Sequence, residues 1–244
     1  MHSKNQAVVA QPFTSLNEKL PKYKLVIFDW DGTLMDSAAK IVSCMQHAAQ
    51  QCDMPIPTYE EVGHIIGISL KPAIKQLFNI DDELAERLVA AYKEAFVTRD
   101  TTPCPLFDGV ERLLSNLKET GCTLAVATGK ARRGLDRAWA QTGTGRFFSA
   151  SRTADEAESK PSPDMLLQLL DELSVKIEDA VMIGDTTYDM QMAKTIGMDR
   201  IGVSYGVHAQ VHLEALSPVA LVHSISELEL SLIHISEPTR QLCI

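Results

Sequence analysis

The feature that most constrains the fold is a set of short apolar runs that end in polar residues. Five such runs occur along the chain, at residues 25–28, 123–127, 180–184, 200–204 and 219–223. The first three lead directly into Asp29, Thr128 and Asp185. A run that is apolar at every position, instead of at alternate positions, is typical of a parallel strand covered on both faces. Ligands of parallel sheets bind outside the carboxyl ends of the strands, so these polar residues are candidates for one shared site.

Helical patterns separate the runs. Residues 110–117 place their apolar side chains on one face, and Gly121 suits the end of that helix. Ser162 suits the N-cap of another helix, and Pro163 suits its first helical position. The alternation of strands and helices predicts an α/β protein with a doubly wound, mainly parallel sheet.

Residues 37–108 show a different pattern, because apolar side chains recur there at helical spacing and no strand-like run interrupts them. The segment contains two long amphipathic stripes, and Asp81 is the expected N-cap of the second. We therefore predict an all-helical domain at 37–108, inserted after the first strand. Residues 22–36 and 109–229 then form the sheet domain.

The two ends of the chain are not expected to belong to either domain. Residues 1–21 are polar and without a clear period, which is typical of an extension before the first strand. Residues 230–240, LSLIHISEPTR, resemble the translation of a transposase-based sequencing adapter. We therefore expect the natural reading frame to end near Glu229 and exclude residues 230–244 from functional reasoning. An unusual natural tail is the alternative.

Charge and cysteine content narrow the functional classes. Of the 244 residues, 23 are Lys or Arg and 32 are Asp or Glu, so the formal net charge is −9. Surfaces that bind nucleic acid are basic, and this balance argues against such a partner. The five cysteines show no CxxC spacing, which favours reduced thiols in a cytoplasmic protein. No apolar run approaches the roughly 20 residues of a membrane helix, so no membrane association is expected.

Asp29 and Asp31 form the first candidate site, in the stretch FDWDGTL. Residues i and i+2 of an extended chain face the same way, so the two carboxylates are expected on one side. Such neighbours repel, and the pKa of one rises unless a cation lies between them. The pair therefore indicates a hard divalent cation, or a division of labour in which Asp29 attacks an electrophile and Asp31 exchanges a proton. An ordinary turn after a strand is the alternative.

Three further motifs place chemistry at the same edge of the predicted sheet. The stretch GDTTYD adds Asp185 and Asp189, and carboxylate oxygens are ligands that Mg²⁺ prefers. In ATGK, the Thr128 hydroxyl and the Gly129 amide suit phosphate oxygens. In SKPSPD, Lys160 could offset several carboxylates and a phosphoryl group. Each motif alone also fits a plain strand end, helix start or surface lysine.

Taken in order along the chain, the motifs DWDGTL, TGK, KPSPD and GDTTYD resemble the haloacid dehalogenase (HAD) superfamily, over about residues 22–229. Within it the pattern is similar to that of phosphoglycolate phosphatases, and the helical insert lies where the C1-type cap of subfamily IA is found. The resemblance implies a Rossmann-like core and an Mg²⁺-dependent phosphatase. Its expected substrate is a small phosphorylated metabolite such as 2-phosphoglycolate, hydrolysed through a phosphoaspartate.

The resemblance also implies catalytic roles for the matching residues. Asp29 is the expected nucleophile, and Asp31 is the expected general acid and base. Lys160 would neutralise charge on the nucleophile and on the phosphoryl group. Thr128 and Gly129 would hold the phosphoryl oxygens.

A metal site follows from the same resemblance. Mg²⁺ would be held by the Asp29 carboxylate, the Asp31 backbone carbonyl and Asp185. Asp189 would support this site through water or through Lys160.

Other activities of the superfamily are alternatives, and the residues present argue against some of them. Dehalogenases use the first aspartate but lack the second acid, so Asp31 favours phosphoryl chemistry. Phosphonatases use a lysine of the cap, and Lys71 and Lys75 keep that activity as an alternative. An isomerase of the β-phosphoglucomutase kind and a non-catalytic scaffold are the remaining alternatives, although the intact set of polar residues argues against the scaffold.

The insert is expected to select the substrate, through a segment at residues 63–74 whose two glycines allow a loop over the site. Within this segment, His64, Ser69 and Lys71 are candidates for contact with the non-phosphate end of the substrate, although each also fits an ordinary loop residue. His208 is expected to be structural. The only expected partner is the small phosphorylated metabolite, and the protein is expected to be a monomer or a weak homodimer.

Overall fold

The structure of the protein is a computed structural model that describes residues 22–234. The extension predicted at residues 1–21 lies outside the described residues, as do residues 235–244 of the predicted tail. Within the described range, no helix combines the length and the apolar character needed to cross a bilayer.

A six-stranded parallel sheet forms the centre of the molecule. Its strands stand in the order β3-β2-β1-β4-β5-β6. Their bounds are Leu25–Phe28 (β1), Thr123–Ala127 (β2), Ala150–Arg152 (β3), Ala180–Gly184 (β4), Asp199–Val203 (β5) and Ala220–Val222 (β6). Every pair is parallel, which confirms the predicted doubly wound, parallel α/β fold.

The register of the central strands brings their polar ends together. Phe28, the last residue of β1, lies opposite Val126 of β2 on one side and Ile183 of β4 on the other. The residues that follow these three strands therefore emerge at one edge of the sheet. This edge is where the sequence analysis placed its candidate residues.

The edge strand β3 was not predicted. Its sequence, Ala-Ser-Arg, is only three residues long, and each residue is only partly buried. An edge strand has one neighbour and less cover than a central one, so it needs no continuous apolar run. The signal that marked the other strands is therefore missing from β3.

Ten α-helices accompany the sheet within residues 22–234. They are Ala38–Gln51 (α1), Tyr59–Gly63 (α2), Leu70–Phe78 (α3), Asp82–Glu94 (α4), Val110–Glu119 (α5), Arg132–Thr142 (α6), Asp164–Leu173 (α7), Thr187–Thr195 (α8), Gln210–Glu214 (α9) and Ile225–His234 (α10). The tail predicted from residue 230 begins inside α10, where Leu232 is buried in the core beside the sheet.

Helices cover both faces of the sheet because β1 directs alternate side chains to opposite sides. Val26 and Phe28 belong to a hydrophobic cluster that includes residues of α5, α6 and α10. Leu25 and Ile27 belong to a second cluster with residues of α7 and α8. Continuous apolar strands are what such two-sided burial requires.

Helix α7 begins later than predicted. Ser162 was expected as its N-cap, but the helix starts at Asp164 and Pro163 occupies the N-cap position without a side-chain hydrogen bond. The Ser162 hydroxyl donates to Glu158 at 2.9 Å and accepts from the Asp164 amide at 3.4 Å. At the end of α5, Gly121 adopts the positive φ of 85° expected of a residue that ends a helix.

Helices α1 to α4 lie between β1 and β2 in the chain and bury a hydrophobic cluster of their own, which includes Met45, Ile74 and Leu88. After α4, a π-helical turn at Ala95–Arg99 leads the chain back towards the sheet. We refer to residues 37–108 as the helical insert.

The N-cap of α4 offers a test of local stability in the insert. The Asp81 carboxylate accepts a hydrogen bond from the Leu84 amide at 3.0 Å. We expect Asp81→Ala to lower the free energy of unfolding by about 1 kcal/mol, because one amide of the first turn loses its partner. Urea unfolding followed by circular dichroism measures this difference. Asp81→Ser keeps a capping oxygen and should stay close to wild type, and equal losses in both variants would contradict the assignment.

Candidate active site

The carboxyl edge of the sheet collects the polar residues that the sequence analysis singled out. Asp29 follows β1, Thr128 follows β2 and Asp185 follows β4, while Asp189 lies in the first turn of α8. Lys160 reaches the same place from the loop before α7. All five side chains are buried.

Lys160 joins two of the carboxylates. Its ammonium nitrogen lies 2.8 Å from Asp29 Oδ1 and 2.6 Å from Asp189 Oδ1. Burial by itself lowers the pKa of Lys160, but the negative charges of Asp189 and Asp29 outweigh this effect and raise it. Lys160 therefore stays protonated and acts as a fixed positive charge.

Asp29 is the least satisfied carboxylate of the group. Its contact with Lys160 is a close charge contact outside hydrogen-bond geometry, and neither carboxylate oxygen has a hydrogen-bond partner among the described residues. Burial raises the pKa of Asp29, Lys160 opposes that rise, and Asp189 and Asp185 add to it. A buried carboxylate with free lone pairs is suited to a metal ion or to attack on an electrophile.

Asp185 is held from both sides. Its Oδ1 accepts from the Thr33 hydroxyl at 2.9 Å, and its Oδ2 accepts from the Val207 amide at 2.8 Å. Burial and the nearby charge of Asp189 raise the pKa of Asp185 to about 7. Gly32 adopts a φ of 82°, and a Cβ at that position would overlap the Asp185 carboxylate. The glycine after the Asp29–Asp31 pair therefore makes room for Asp185.

The carboxylates Asp29, Asp185 and Asp189 can place one oxygen each within 4.8 Å of one another. Three close oxygens, with those of Asp29 free of hydrogen bonds, fit a hard divalent cation such as Mg²⁺. Asp189 is also engaged by Lys160 and, through Oδ2, by the amide and hydroxyl of Thr186. This arrangement suits the supporting role expected of Asp189.

Asp31 faces a different cation from Asp29. The Lys130 ammonium donates to both Asp31 oxygens, at 2.8 and 2.9 Å, and the Ser37 hydroxyl donates to Oδ1 at 2.7 Å. The sequence analysis left open a divalent cation or a division of labour for the two acids, and the structure places a different lysine beside each. Lys130 was missed, although the quoted TGK motif contains it, because a lysine after a turn gives no sign of its direction.

Thr128 and Gly129 lie where the insert meets the sheet. The Thr128 hydroxyl oxygen accepts from the Lys130 amide at 3.2 Å. A Cβ on Gly129 would lie 2.6 Å from the carbonyl oxygen of Gly67 and 2.8 Å from that of Ile68. Glycine at position 129 therefore allows the insert to approach the loop after β2.

The three specificity candidates of the insert have different surroundings. The His64 carbonyl accepts from the Tyr188 hydroxyl at 2.9 Å, and the Ser69 amide donates to the Ser159 hydroxyl at 3.0 Å. Both contacts use main-chain atoms to dock the insert on the sheet domain. Lys71 is 39% exposed and pairs with Glu86 of α4 at 2.7 Å, so its ammonium is directed along the insert.

His208 and Lys75 also show contacts that bear on their expected roles. The buried His208 ring accepts from the Thr187 amide at 3.0 Å, and burial lowers its pKa. A neutral ring that accepts from the main chain suits a structural residue. Lys75 pairs with Asp82 at 2.8 Å on the surface of the insert.

Comparisons with known proteins identify relatives of this chain. The model of the haloacid dehalogenase-like hydrolase family matches residues 26–203, a span that includes the insert. A Dickeya dadantii protein named Probable phosphatase IndB is 36% identical over 208 residues, which cover 83% of this chain and 90% of the relative. A phosphoglycolate phosphatase of Agrobacterium fabrum is 28% identical over 214 residues, covering 85% of this chain and 91% of the relative.

The fold has a close counterpart among solved structures. The crystal structure of a Clostridium acetobutylicum protein, described as a predicted phosphatase, matches with a TM-score of 0.79 at 29% identity. The match covers 86% of this chain and 98% of the other. The similarity therefore extends over the insert as well as the sheet.

Because the pKa values of these carboxyl groups are raised, the stability of the metal-free protein and its stabilisation by Mg²⁺ should both depend on pH. Between the ordinary Asp value of 3.8 and about 7, Asp185 binds more protons in the folded protein than in the unfolded chain. The contribution of Asp185 to the free energy of unfolding of the metal-free protein should therefore fall as the pH rises through this window. Mg²⁺ binds deprotonated carboxylates, so it should raise Tm by several degrees at about pH 8 and much less at about pH 5.

Thermal unfolding with Mg²⁺ and with chelator at both pH values measures this effect. Asp185→Asn should remove most of the Mg²⁺ response and raise the Tm of the metal-free protein at about pH 8. Asp179→Asn changes an acid that pairs with Lys24 away from the site, so it serves as the matched control. An Mg²⁺ response that is equal at both pH values would contradict the prediction.

Gly129 provides a test of how the insert docks. A methyl group there would displace the carbonyls of Gly67 and Ile68, so Gly129→Ala should loosen the insert. We expect faster hydrogen exchange at the amides of residues 64–69, with the sheet core unchanged. Gly134→Ala is the control, because its Cβ would meet only the Lys130 side chain at 3.4 Å. Unchanged exchange in Gly129→Ala would show that the docking does not depend on this contact.

Proposed function

Because the chain belongs to the haloacid dehalogenase-like hydrolases, we propose that it hydrolyses a small phosphorylated metabolite, of the 2-phosphoglycolate kind, through a phosphoaspartate on Asp29. The observation that carries this proposal is the state of the Asp29 carboxylate. It is buried, has no hydrogen-bond partner among residues 22–234, and lies beside Lys160 and two further carboxylates.

In the first step, an Asp29 oxygen attacks phosphorus and the ester P–O bond breaks. Asp31, which enters this step as the carboxylic acid, gives its proton to the leaving alkoxide, which departs as an alcohol. In the second step, Asp31 takes a proton from water, whose oxygen attacks the phosphoryl group. The acyl phosphate bond breaks, inorganic phosphate leaves and Asp29 returns to its starting form.

The neighbouring residues position and neutralise the phosphoryl group. Lys160 offsets the charge of Asp29 and of the transferred oxygens. Thr128 and Gly129 hold phosphoryl oxygens at the end of β2. Positioning and charge neutralisation supply most of the catalysis in phosphoryl transfer.

Mg²⁺ would be held by the carboxylates of Asp29 and Asp185 and by the backbone carbonyl of Asp31, with Asp189 in support through Lys160. When bound, the ion supplies charge neutralisation between the carboxylates and the phosphoryl oxygens. The close set of carboxylate oxygens supports this assignment.

Two observations support a small substrate. The insert contacts the sheet domain at Gly129, Ser159 and Tyr188, beside the residues proposed to bind phosphate and metal. Contacts of the insert so near these residues favour a small non-phosphate group. One relative that spans most of the chain is also named a phosphoglycolate phosphatase.

A panel of phosphorylated metabolites, assayed for phosphate release with Mg²⁺ and with chelator, tests the proposal. We expect release that requires Mg²⁺ and is greatest for small substrates such as 2-phosphoglycolate. Asp29→Asn should lower turnover by at least about 1000-fold, since the nucleophile is lost. Asp36→Asn, which changes an exposed acid of the same loop, should keep wild-type turnover.

The same panel separates the alternatives. Interconversion of sugar phosphates without phosphate release would replace the phosphatase by an isomerase. Equal turnover in wild type and Asp29→Asn would remove Asp29 as the nucleophile.

A further inference from the structure

Lys130 lies in the loop between β2 and α6 and has no part in the roles assigned above. Its ammonium donates to both oxygens of Asp31, at 2.8 and 2.9 Å. The two side chains are each only 12% exposed. Ion pairs on the open surface contribute little, whereas a sheltered, two-contact pair is weakly screened and holds its geometry. The pair is therefore a constraint on where the Asp31 carboxylate can be.

Asp31 has little freedom left once its contacts are counted. The Ser37 hydroxyl adds a third donor, at 2.7 Å from Oδ1. These three contacts engage both carboxylate oxygens and fix the rotation of the group. A general acid acts only from a position close to the leaving oxygen, and a displacement of about 1 Å can lower a rate by about 100-fold.

Lys130 also contacts an aromatic side chain of the insert. Its ammonium lies 5.3 Å from the centre of the Phe96 ring, within the range of a cation–π contact. Phe96 belongs to the π-helical turn Ala95–Arg99, and such turns are frequent at functional sites. Lys130 belongs to the sheet domain, and its ammonium therefore contacts the insert through a ring that the Lys40 ammonium also approaches, at 5.1 Å.

We propose that Lys130 is a positioning residue, which holds the Asp31 side chain in the orientation in which its carboxylic acid form protonates the leaving oxygen and its carboxylate form then takes a proton from water. Phe96 of the insert keeps the Lys130 ammonium in place. The inference rests on the proposed function, in which Asp31 donates a proton as the ester P–O bond breaks. Lys130 donates no proton and bonds to no reacting atom.

The dependence of kcat/KM on the leaving group tests this role. kcat/KM reports the steps up to the first irreversible one, which is P–O cleavage. Three substrates are compared: 2-phosphoglycolate, an alkyl phosphate with an uncharged alcohol, and 4-nitrophenyl phosphate, whose stable phenolate leaves without a proton. Lys130→Met should lower kcat/KM by about 100-fold for both alkyl substrates and by only a few fold for 4-nitrophenyl phosphate.

Two further variants show whether the loss of kcat/KM comes from the positive charge of Lys130 and from the Phe96 ring beneath it. Lys130→Arg retains a two-contact donor and should recover most of the lost kcat/KM. Phe96→Leu keeps the charge but removes the ring, and should give the pattern of Lys130→Met to a smaller degree. If Lys130→Met does not fold, as judged by circular dichroism, Lys130→Gln gives the same comparison with a side chain that holds only one oxygen.

Three results would overturn the role of Lys130. A loss confined to 2-phosphoglycolate would make Lys130 a contact for the substrate carboxylate. An equal loss with all three substrates would make it a general structural residue, and no loss would remove it from the reaction.

Asp31→Asn keeps the failure of this inference distinct from that of the proposed function. A loss in Asp31→Asn that depends on the leaving group, together with a uniform loss in Lys130→Met, overturns only the role of Lys130. Absence of that dependence in Asp31→Asn, or a wild-type protein that hydrolyses none of the three esters, overturns both.

Discussion

The balance of charge at the carboxyl edge of the sheet is the constraint on which the rest of the site depends. Four carboxylates meet two lysines there: Asp29, Asp31, Asp185 and Asp189 with Lys130 and Lys160. If all are ionised, four negative charges against two positive ones leave two uncompensated, which equals the charge of the proposed Mg²⁺. Without a cation, burial and mutual repulsion raise the pKa values of Asp29 and Asp185. The metal-free site therefore stores unfavourable electrostatic energy that a divalent ion can relieve.

The two lysines divide the carboxylates into groups with different chemistry. Lys160 is shared by Asp29 and Asp189, and it leaves the Asp29 oxygens without hydrogen bonds. Lys130 engages both oxygens of Asp31, which is not one of the three carboxylates with oxygens within 4.8 Å of one another. Two aspartates separated by one residue thus reach different environments, which is what different roles for a nucleophile and a proton donor require.

Much of the fold could be predicted, because the strands of a parallel sheet are apolar at every position. The runs at 25–28, 123–127 and 180–184 match β1, β2 and β4, and their polar ends indicated where the candidate residues would meet. Short or partly buried helices and strands were harder to predict, because their apolar pattern is weaker. Strand β3 lacks an apolar run, and α7 begins two residues after Ser162, whose hydroxyl bonds to both Glu158 and the Asp164 amide.

The sequence by itself determined which chemical groups stand at the ends of the strands, since residue type and the order of strands are properties of the chain. It also indicated the family, through motifs whose order along the chain is informative. Only the tertiary structure decided which cation faces which acid. The contacts between Lys130 and Asp31 and between Lys160 and Asp29 join residues about 100 or more positions apart, and their geometry depends on strand register and on the docked insert. Side-chain direction across such distances is set by packing and not by local sequence.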